Sequence, residues 1–259
     1  MNLQFVKYQG TGNDFILIDN RSGEWNDFPV SLIRKLCDRR FGIGADGLIK
    51  IHSTPGFDFE VDYYNSDGSK SFCGNGARCS VAFAHALGIT KESVSFMAID
   101  GPHEAEKKNG LVFLKMNDVT EMDTSSAEFV LNTGSPHFIH FTGNVADFDI
   151  VSYGKQIRYS ERYRSEGINV NAIHALDDRS FEIRTYERGV EDETLSCGTG
   201  VTAAALALAE KNNVKGTFEY RVKSQGGDLA VKFTRTDAGF TDIWLIGPAE
   251  AVFKGSVDV

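Results

Sequence analysis

Two cysteine residues stand at matching places in two similar stretches of this sequence. Cys73 begins the tetrapeptide CGNG, Cys197 begins CGTG, and an apolar run follows each of them. A thiolate can take a proton from a carbon atom, and a thiol can give one back. Two such groups on opposite faces of one carbon could invert a stereocentre without a cofactor. The paired motifs therefore predict proton-transfer chemistry.

The residues that follow each cysteine favour this chemistry. We expect each glycine-rich turn to begin a helix, one ending near Gly88 and the other covering about 200–212. A helix N-terminus stabilises a thiolate and lowers the cysteine pKa from its usual value of about 8.5. Glycines also leave backbone N–H groups open to a substrate carboxylate, on which negative charge develops as the α-proton leaves.

The other two cysteines lack this context. A single turn of this kind before an apolar helix is usually only a buried thiol, and it is the second copy that favours catalysis. Cys37 and Cys79 lie in apolar, helical surroundings, and we interpret both as packing residues. Four cysteines in 259 residues are not a disulfide framework, and the zinc spacings CxxC and HxxxH are absent. We expect a reduced, cytoplasmic protein without a metal or a cofactor.

Charge and composition narrow the class of partner. The net charge of −9 argues against a nucleic-acid partner, which normally needs a basic face. No apolar run approaches the roughly 20 residues of a membrane span, and no signal peptide is visible at the N-terminus. With 41% hydrophobic and 24% charged residues, the composition is that of a globular protein. The proton-transfer chemistry of the paired thiols predicts a small-molecule substrate instead.

Three further motifs have more than one interpretation. Residues 42–47 match the dinucleotide pattern GxGxxG, but a strand-like segment follows instead of a helix, which argues against that function. His137, in the segment GSPHF, is either structural or a proton relay. Glu187 and Arg188 are either a surface pair or a pair that orients an amino-acid head group just before Cys197.

The periodicity predicts two similar halves, each with β-strands around one apolar helix. Alternation predicts strands at 3–8, 14–19, 47–52, 58–64, 93–99, 111–117, 127–132, 137–141, 181–186, 217–223, 228–235 and 241–246. Helical spacing predicts a further helix at 30–39, with Ser31 as its N-cap. The two cysteine helices are apolar nearly all round, so we expect them to be buried, with their N-termini facing a cleft between the halves.

Taken together, these segments resemble the diaminopimelate epimerase family. The matching segments are GTGNDFILID (10–19), FGIGADGL (41–48), YNSDGSKSFCGNGARC (64–79), GSPH (134–137), GINVN (167–171) and YERGVEDETLSCGTG (186–200). They keep the family's order and are spread over most of the chain. The polar stretch 118–124 predicts the boundary between two domains, 1–119 and 120–247. The resemblance implies that these domains are pseudo-symmetric and of the α/β class, and that a last strand at about 248–259 returns to the first domain.

The resemblance also implies an activity and a set of site residues. The family interconverts LL- and meso-diaminopimelate without a cofactor, on the route to lysine and peptidoglycan, and usually forms a homodimer. Cys73 and Cys197 match its catalytic pair, and in the LL-to-meso direction Cys197 would take the proton and Cys73 donate it. The implied substrate contacts are Asn13, Asn65, Gly74, Asn75, Asn169, Glu187, Arg188, Gly198 and Thr199. His137 and Glu187 match groups that tune the cysteines.

The chain departs from the family pattern at three places. Some members have a glutamine contact where this chain has Gly47, and others have asparagine where it has Ser135. The loop between Arg188 and Cys197 carries one more acidic residue than the shorter ERGxGET pattern. These substitutions leave open whether positions 47 and 135 contact substrate and how the loop closes.

Two other functions remain open from the sequence. One is a racemase of the same fold that acts on another amino acid, as the proline racemases do. The other is a non-catalytic redox or binding protein in which Cys73 and Cys197 form a regulatory disulfide. Asn65, Asn169 and Arg188 favour a substrate with a second amino-carboxylate end, and so favour the epimerase.

Overall fold

The computed structural model describes residues 1–90, 92–125 and 128–259. They form a mixed α/β structure, which confirms the predicted fold class. Contacts between Cα atoms divide the chain into two units, Met1–Leu114 together with Gly247–Val259, and Lys115–Ile246. The domain limits expected from the sequence, 1–119 with 248–259 and 120–247, remain a prediction about the folding units.

The described residues contain seventeen strands and four helices. In chain order these are β1 (Asn2–Gly10), β2 (Asn13–Asp19), α1 (Val30–Cys37), β3 (Gly47–His52), β4 (Phe59–Asn65), α2 (Gly74–Ala86), β5 (Ser93–Ala98), β6 (Gly101–Lys108), β7 (Leu111–Lys115), β8 (Met122–Asp123), β9 (Phe129–Asn132), β10 (Pro136–Phe141), α3 (Ile150–Arg158), β11 (Asn169–Asp177), β12 (Ser180–Glu187), β13 (Asp192–Thr194), α4 (Gly198–Lys211), β14 (Gly216–Ser224), β15 (Gly227–Thr236), β16 (Gly239–Pro248) and β17 (Glu250–Asp258).

In the first unit, strands surround the helix α2. β1 pairs antiparallel with both β17 and β2, β2 pairs parallel with β3, and β3 pairs antiparallel with β4. Helix α2 contacts β1, β2, β3, β4, β6 and β17, and its residues from Gly74 to Ala84 are buried. Small residues such as Ala77, Ala82 and Ala84 let the strands approach the helix closely on several sides.

The second unit repeats this arrangement around α4. β10 pairs antiparallel with β9 and parallel with β11, β11 pairs antiparallel with β12, and β12 pairs parallel with β14. Helix α4 contacts β9, β10, β11, β12 and β15. Its residues Val201–Ala209 are at most 2% exposed, so both cysteine helices are central core elements of their own units.

Some local predictions differ from the structure. Helix α1 begins at Val30 after the extended residue Pro29, so Ser31 is not its N-cap. Helix α3 and the strands β6 and β11 were not predicted, although Asp149 caps α3 by accepting a hydrogen bond from the Ser152 backbone N–H at 3.0 Å. The predicted strand 127–132 starts outside the described residues, and β9 begins at Phe129. No helix in the described parts of the chain is long and apolar enough to cross a membrane.

Candidate active site

Cys73 is the N-cap residue of α2. Its backbone is extended, with φ −135° and ψ 115°, and its carbonyl accepts the first helical hydrogen bond from the Ala77 N–H at 2.8 Å. The thiol is half-buried and does not cap the helix itself. The N–H groups of a first helical turn have no acceptor within the helix, and the helix dipole there favours a negative charge. The predicted glycine-rich turn is therefore placed where it can hold an anion.

Asn13 links Cys73 to the strands of the first unit. The Cys73 thiol and the Asn75 side-chain amide both donate to Asn13 Oδ1, with Sγ and Nδ2 at 3.6 Å and 3.5 Å. Asn13 Nδ2 in turn donates to Asp46 Oδ2 at 2.5 Å. The structure thus brings together the predicted residues Cys73, Asn13 and Asn75, and adds Asp46 behind them.

A charged network that the sequence motifs did not indicate holds Asp46 in place. Arg39 donates to both carboxylate oxygens of Asp14, at 2.6 and 2.9 Å, and to Asp46 Oδ1 at 2.7 Å. Lys7 forms an ion pair with Asp14 at 2.8 Å. Burial opposes the charge on Asp14, but Arg39 and Lys7 outweigh it and hold the pKa of that carboxyl well below its usual range. The network fixes the oxygen to which Asn13 donates.

Asn65 lies at the end of β4, at the same end of these strands as Asn13. Gly47 on β3 pairs with Phe15 on one side and with Asn65 on the other, which places both asparagine positions near one end of these strands. The Asn65 amide donates to the Ser69 and Ser71 hydroxyls at 3.0 and 3.2 Å. The side chain is therefore oriented by the turn that leads to Cys73.

The structure explains why residue 47 is glycine. A Cβ atom there would lie 2.4 Å from Tyr63 Cε2 and 2.9 Å from the Tyr63 hydroxyl oxygen, distances that no side chain can adopt. The Tyr63 hydroxyl donates to Asn65 Oδ1 at 2.9 Å. Tyr63 therefore fills the space beside Gly47 and contacts a predicted substrate-binding residue. The sequence does not indicate this role of Tyr63, because tyrosine is common in strands. Only the pairing of β3 with β4 places its ring beside Gly47.

Cys197 stands at the N-terminus of α4 just as Cys73 does at α2. Its φ and ψ are −118° and 110°, and its carbonyl accepts from the Val201 N–H at 2.9 Å. The half-buried thiol lies 3.4 Å from the Thr199 hydroxyl oxygen. The Thr199 carbonyl accepts from the Thr133 hydroxyl at 2.8 Å, which anchors the turn to the segment before β10.

His137 is the next member of a neutral hydrogen-bond chain. Its ring is fully buried, with Nε2 at 2.9 Å from Thr199 Oγ1 and Nδ1 at 3.1 Å from Asn171 Nδ2. Asn171 Oδ1 accepts from the Thr185 hydroxyl at 2.9 Å, so its nitrogen is the atom that faces the ring. Nδ1 must then accept, which leaves the ring proton on Nε2.

The direction of this chain determines what Thr199 can do. Because His137 donates from Nε2, the Thr199 oxygen accepts and its own proton is available for the Cys197 sulfur. Burial, with a smaller contribution from the Arg188 charge, lowers the pKa of His137 to about 3, so the ring is neutral near pH 7. His137 is therefore a fixed donor in this chain. Asn171 and Thr185, which orient it, were not identified from the sequence.

Asn169, Ser135 and Arg188 form a second polar cluster in this unit. Asn169 Nδ2 donates to the Ser135 hydroxyl at 2.9 Å, and Asn169 Oδ1 accepts from the Arg188 backbone N–H at 2.9 Å. The Arg188 guanidinium reaches the Ser135 hydroxyl at 3.4 Å and the Glu166 carbonyl at 2.9 Å. Gly167 gives Arg188 room, since a Cβ there would lie 2.7 Å from Arg188 Cδ.

Glu187 and the loop that follows it lead back to Cys197. Glu187 ends β12 and accepts from the Thr194 hydroxyl at 2.9 Å. The acidic loop residue Glu191 accepts from the Tyr186 and Tyr159 hydroxyls at 2.9 and 3.1 Å and from Arg158 Nε at 3.2 Å. Glu191 therefore ties the loop to the end of α3, which accounts for an acidic residue in the longer loop.

The other cysteines have inert surroundings. Cys37 and Cys79 are buried, and burial raises the pKa of Cys37 to about 11 and that of Cys79 further. Thiols of this kind hardly ionise at neutral pH. No group of three or more His, Cys, Asp or Glu side chains within the described ranges is placed to hold a metal ion.

Comparison with known proteins identifies the family. The model of the family "Diaminopimelate epimerase" matches residues 5–124 and 129–252. The diaminopimelate epimerase of Flavobacterium psychrophilum is 49% identical, covering 98% of this chain and 100% of the relative, and that of Chlorobaculum tepidum is 40% identical, covering 96% and 98%.

Solved structures share the fold at much lower identity. A phenazine biosynthesis protein of the PhzF family from Bacillus anthracis superposes with a TM-score of 0.76 at 13% identity over all of both chains. A probable proline racemase from Agrobacterium radiobacter gives 0.71 at 16%, covering 99% of this chain and 92% of the other. The sequence matches, which extend over nearly the whole chain, show that it belongs to the diaminopimelate epimerase family.

Proposed function

We propose that the protein interconverts LL- and meso-diaminopimelate by moving a proton between the substrate α-carbon and the thiols of Cys73 and Cys197. The observation that carries the proposal is the pair of half-buried cysteines, each the N-cap of a buried helix with the same backbone conformation. Family membership supplies the reaction and the substrate. No cofactor is part of the proposed mechanism.

The proton would move as follows in the LL-to-meso direction. The Cys197 thiolate takes the α-proton, and the electron pair left on carbon spreads into the adjacent carboxylate. Backbone N–H groups at Gly74, Asn75, Gly198 and Thr199 would stabilise this charge, since helix N-termini favour anions. The Cys73 thiol then gives its proton to the opposite face of the carbon and becomes a thiolate. The reverse reaction uses the same groups with their roles exchanged.

The neutral chain behind Cys197 supports its role as a base. His137 Nε2 donates to the Thr199 hydroxyl oxygen, so the hydroxyl proton of Thr199 is left to donate to the Cys197 thiolate. A hydrogen bond to the charged form of a thiol lowers its pKa. We assign His137 to this indirect role, through Thr199, and keep the tuning role of Glu187 as part of the proposal.

The remaining polar residues suit the ends of the substrate. In the second unit, Ser135 and Arg188 present a hydroxyl and a guanidinium, which are donors for a carboxylate, and Asn169 orients them through its bonds to the Ser135 hydroxyl and the Arg188 backbone N–H. Glu187 supplies a carboxylate for an ammonium group. In the first unit, Asn13 and Asn65 supply amides that are already oriented by their neighbours. A substrate with two amino-carboxylate ends needs such donors at both ends.

We further propose that the protein is a cytoplasmic homodimer of two-domain chains. Strand β17 carries Val252 and Phe253 with 58% and 47% of their surfaces exposed, an apolar pair that a second copy could cover. Light scattering coupled to gel filtration tests this assembly. A dimer that Phe253→Glu converts to a monomer would support it, and a monomeric wild-type protein at micromolar concentration would contradict it.

The reaction is tested by incubating the reduced protein with LL-diaminopimelate in D₂O and following the α-proton by NMR. We expect deuterium in a growing meso product. Exchange with proline but not with diaminopimelate would keep the two-thiol chemistry and move the substrate to the proline racemase class. Exchange with no amino acid, together with a mapped Cys73–Cys197 disulfide in air-oxidised protein, would instead support a redox function.

A further inference from the structure

Arg78, on helix α2, is a buried cation without a carboxylate partner among the described residues. Its side chain is 0% exposed. Nη2 donates to the Thr11 hydroxyl at 3.1 Å and Nε donates to the Pro248 carbonyl at 3.4 Å, while Nη1 has no hydrogen-bond partner. Both acceptors are neutral. A guanidinium is normally buried only beside a negative charge, so this position calls for an explanation.

Several charged groups on the surrounding strands have partners other than Arg78. In the strands that contact α2, Lys7 pairs with Asp14, and Lys50 pairs with Asp62. The exposed Glu250 carboxylate accepts from the Gln9 side chain at 3.0 Å. Burial raises the pKa of Tyr8, so its hydroxyl stays neutral. None of these groups neutralises Arg78.

Two thiols close to Arg78 in the chain, at the N-cap of α2 and within α2, could supply a negative charge. Ionised Cys79 and Cys73 would each raise the pKa of Arg78, which burial lowers. Cys79 is fully buried, and burial raises the pKa of its thiol far above neutrality. Cys73 is half-buried at the helix N-terminus, where a thiolate is also favoured by the helix dipole. Of the two thiols, Cys73 is the one that can supply the missing negative charge.

The second cysteine helix provides an internal comparison. Arg78 is the fifth residue after Cys73, and the fifth residue after Cys197 is Thr202. Thr202 is also fully buried, but its hydroxyl donates to the Gly198 carbonyl of its own helix at 3.0 Å. Equivalent positions thus hold a cation in α2 and a neutral, self-satisfied side chain in α4. Packing of a helix against strands does not by itself require the guanidinium.

We propose that Arg78 is a positioning residue whose charge stabilises the thiolate that Cys73 becomes when it delivers its proton. The inference rests on the proposed role of Cys73 as the proton donor. A more stable conjugate thiolate makes Cys73 a stronger acid in the LL-to-meso direction and a better populated base in the reverse direction. Arg78 acts through the electrostatic field and does not touch the substrate, because its side chain is buried behind the turn.

The test measures the acidity of the Cys73 thiol directly. In a Cys197→Ala background, the rate of Cys73 alkylation by iodoacetamide is followed against pH by peptide mass spectrometry. We expect Arg78→Gln to raise the pH midpoint by about one unit and to lower the rate at pH 7 about tenfold. Thr202→Val, at the equivalent position of α4, should leave the midpoint unchanged.

Arg78→Lys separates charge from hydrogen-bond geometry. Lysine keeps the positive charge but lacks the planar guanidinium. We therefore expect the pH midpoint of Cys73 alkylation in Arg78→Lys to stay within about 0.3 pH units of the value in the parent protein. A folded Arg78→Gln protein with the parent midpoint would overturn the proposal. If Arg78→Gln does not fold, a full one-unit rise in folded Arg78→Lys would overturn it instead. Because no substrate is used, these outcomes are independent of the D₂O experiment.

Discussion

The two cysteine turns share a backbone conformation but differ in the chemistry behind the thiol. Behind Cys73 lie charges, namely the buried Arg78 and, through Asn13, the ion network of Asp46 and Arg39. Behind Cys197 lies a neutral chain that passes from Thr199 to His137 and Asn171. Under the proposed mechanism, the two copies of one motif would therefore stabilise a thiolate by two different means.

This difference predicts which kind of substitution should impair each half of the protein. A charge acts over several ångströms and tolerates small shifts, whereas a hydrogen bond weakens steeply when its angle or length changes. We therefore expect the Cys197 side to be sensitive to small steric changes and the Cys73 side to be sensitive mainly to the loss of charge.

The largest effect should come from removing either thiol. Cys73→Ala and Cys197→Ala should each lower the rate of LL-to-meso conversion by more than about a thousandfold, because a proton must be taken on one face and returned on the other. The NMR assay in D₂O measures this. Cys37→Ala serves as the control and should retain most of the activity. Near-normal activity in either active-site variant would exclude the two-thiol mechanism.

The glycines at equivalent positions of the two turns should respond differently to one added methyl group. A Cβ on Gly200 would lie 2.4 Å from Asn171 Oδ1, whereas a Cβ on Gly76 would have its nearest neighbour, Ile49 Cδ1, at 3.3 Å. Gly200→Ala should therefore displace Asn171 and lower kcat about a hundredfold, while Gly76→Ala should cost less than about tenfold. Equal losses in the two variants would contradict the proposed contrast.

Removing the donor to Cys197 should have a smaller effect. Thr199→Val keeps the shape of the side chain but removes the hydroxyl that lies 3.4 Å from the sulfur. We expect roughly a tenfold loss of kcat and a shift of its acidic limb to higher pH, because the thiolate loses a hydrogen bond. Thr199→Ser should restore both. An unchanged pH profile in Thr199→Val would show that the hydroxyl does not tune the thiol.

The smallest effect concerns stability and pH. The pKa of His137 falls from about 6.5 in the unfolded chain to about 3 in the folded protein. Below pH 6.5 the unfolded chain binds a proton that the folded protein does not, so stability is present above that pH and is lost as the pH falls toward 3. Between pH 7 and 5 the loss should be at most about 2 kcal/mol. Urea unfolding measures it.

His137→Gln is the matched variant for this comparison. Its stability should be lower than that of the parent protein at pH 7 but should change less between pH 7 and 5, because the titrating group is gone. In the first unit, the low pKa of Asp14 acts in the same direction but only below about pH 4, where free aspartate takes up protons. A parent protein with constant stability from pH 7 to 5 would contradict the assignment of His137 as a buried neutral ring.

The central features of the fold were predictable from local patterns. The buried helices α2 and α4 follow from apolar runs after glycine-rich turns, and most strands follow from alternation. Helix α3 and strand β11 were not predicted, because polar residues interrupt their apolar runs and leave only short apolar segments. Helix α1 was predicted to start where it does, at Val30, but its N-cap is Pro29 instead of Ser31, and the helix ends at Cys37, two residues before the predicted end.

The site was predictable to the extent that its residues lie in local motifs. Cys73, Cys197 and their turns could be recognised because the cysteine, the glycines and the helix are contiguous in the chain. The sequence did not reveal the roles of Asn171, Thr185 and Arg39, because each of them acts through a partner on another strand or loop. Tyr63 was missed for a related reason, since only the pairing of β3 with β4 places it beside Gly47.

The sequence by itself thus determined the two thiols, the helices they begin and the reaction class they suit, because these depend on neighbours within one helical turn. Only the tertiary structure decided what lies behind each thiol. Packing buries the Arg78 guanidinium with no carboxylate partner among the described residues, and it keeps His137 neutral; both effects arise from groups distant in the chain. Electrostatic environment is a property of packing, and a local motif does not contain it.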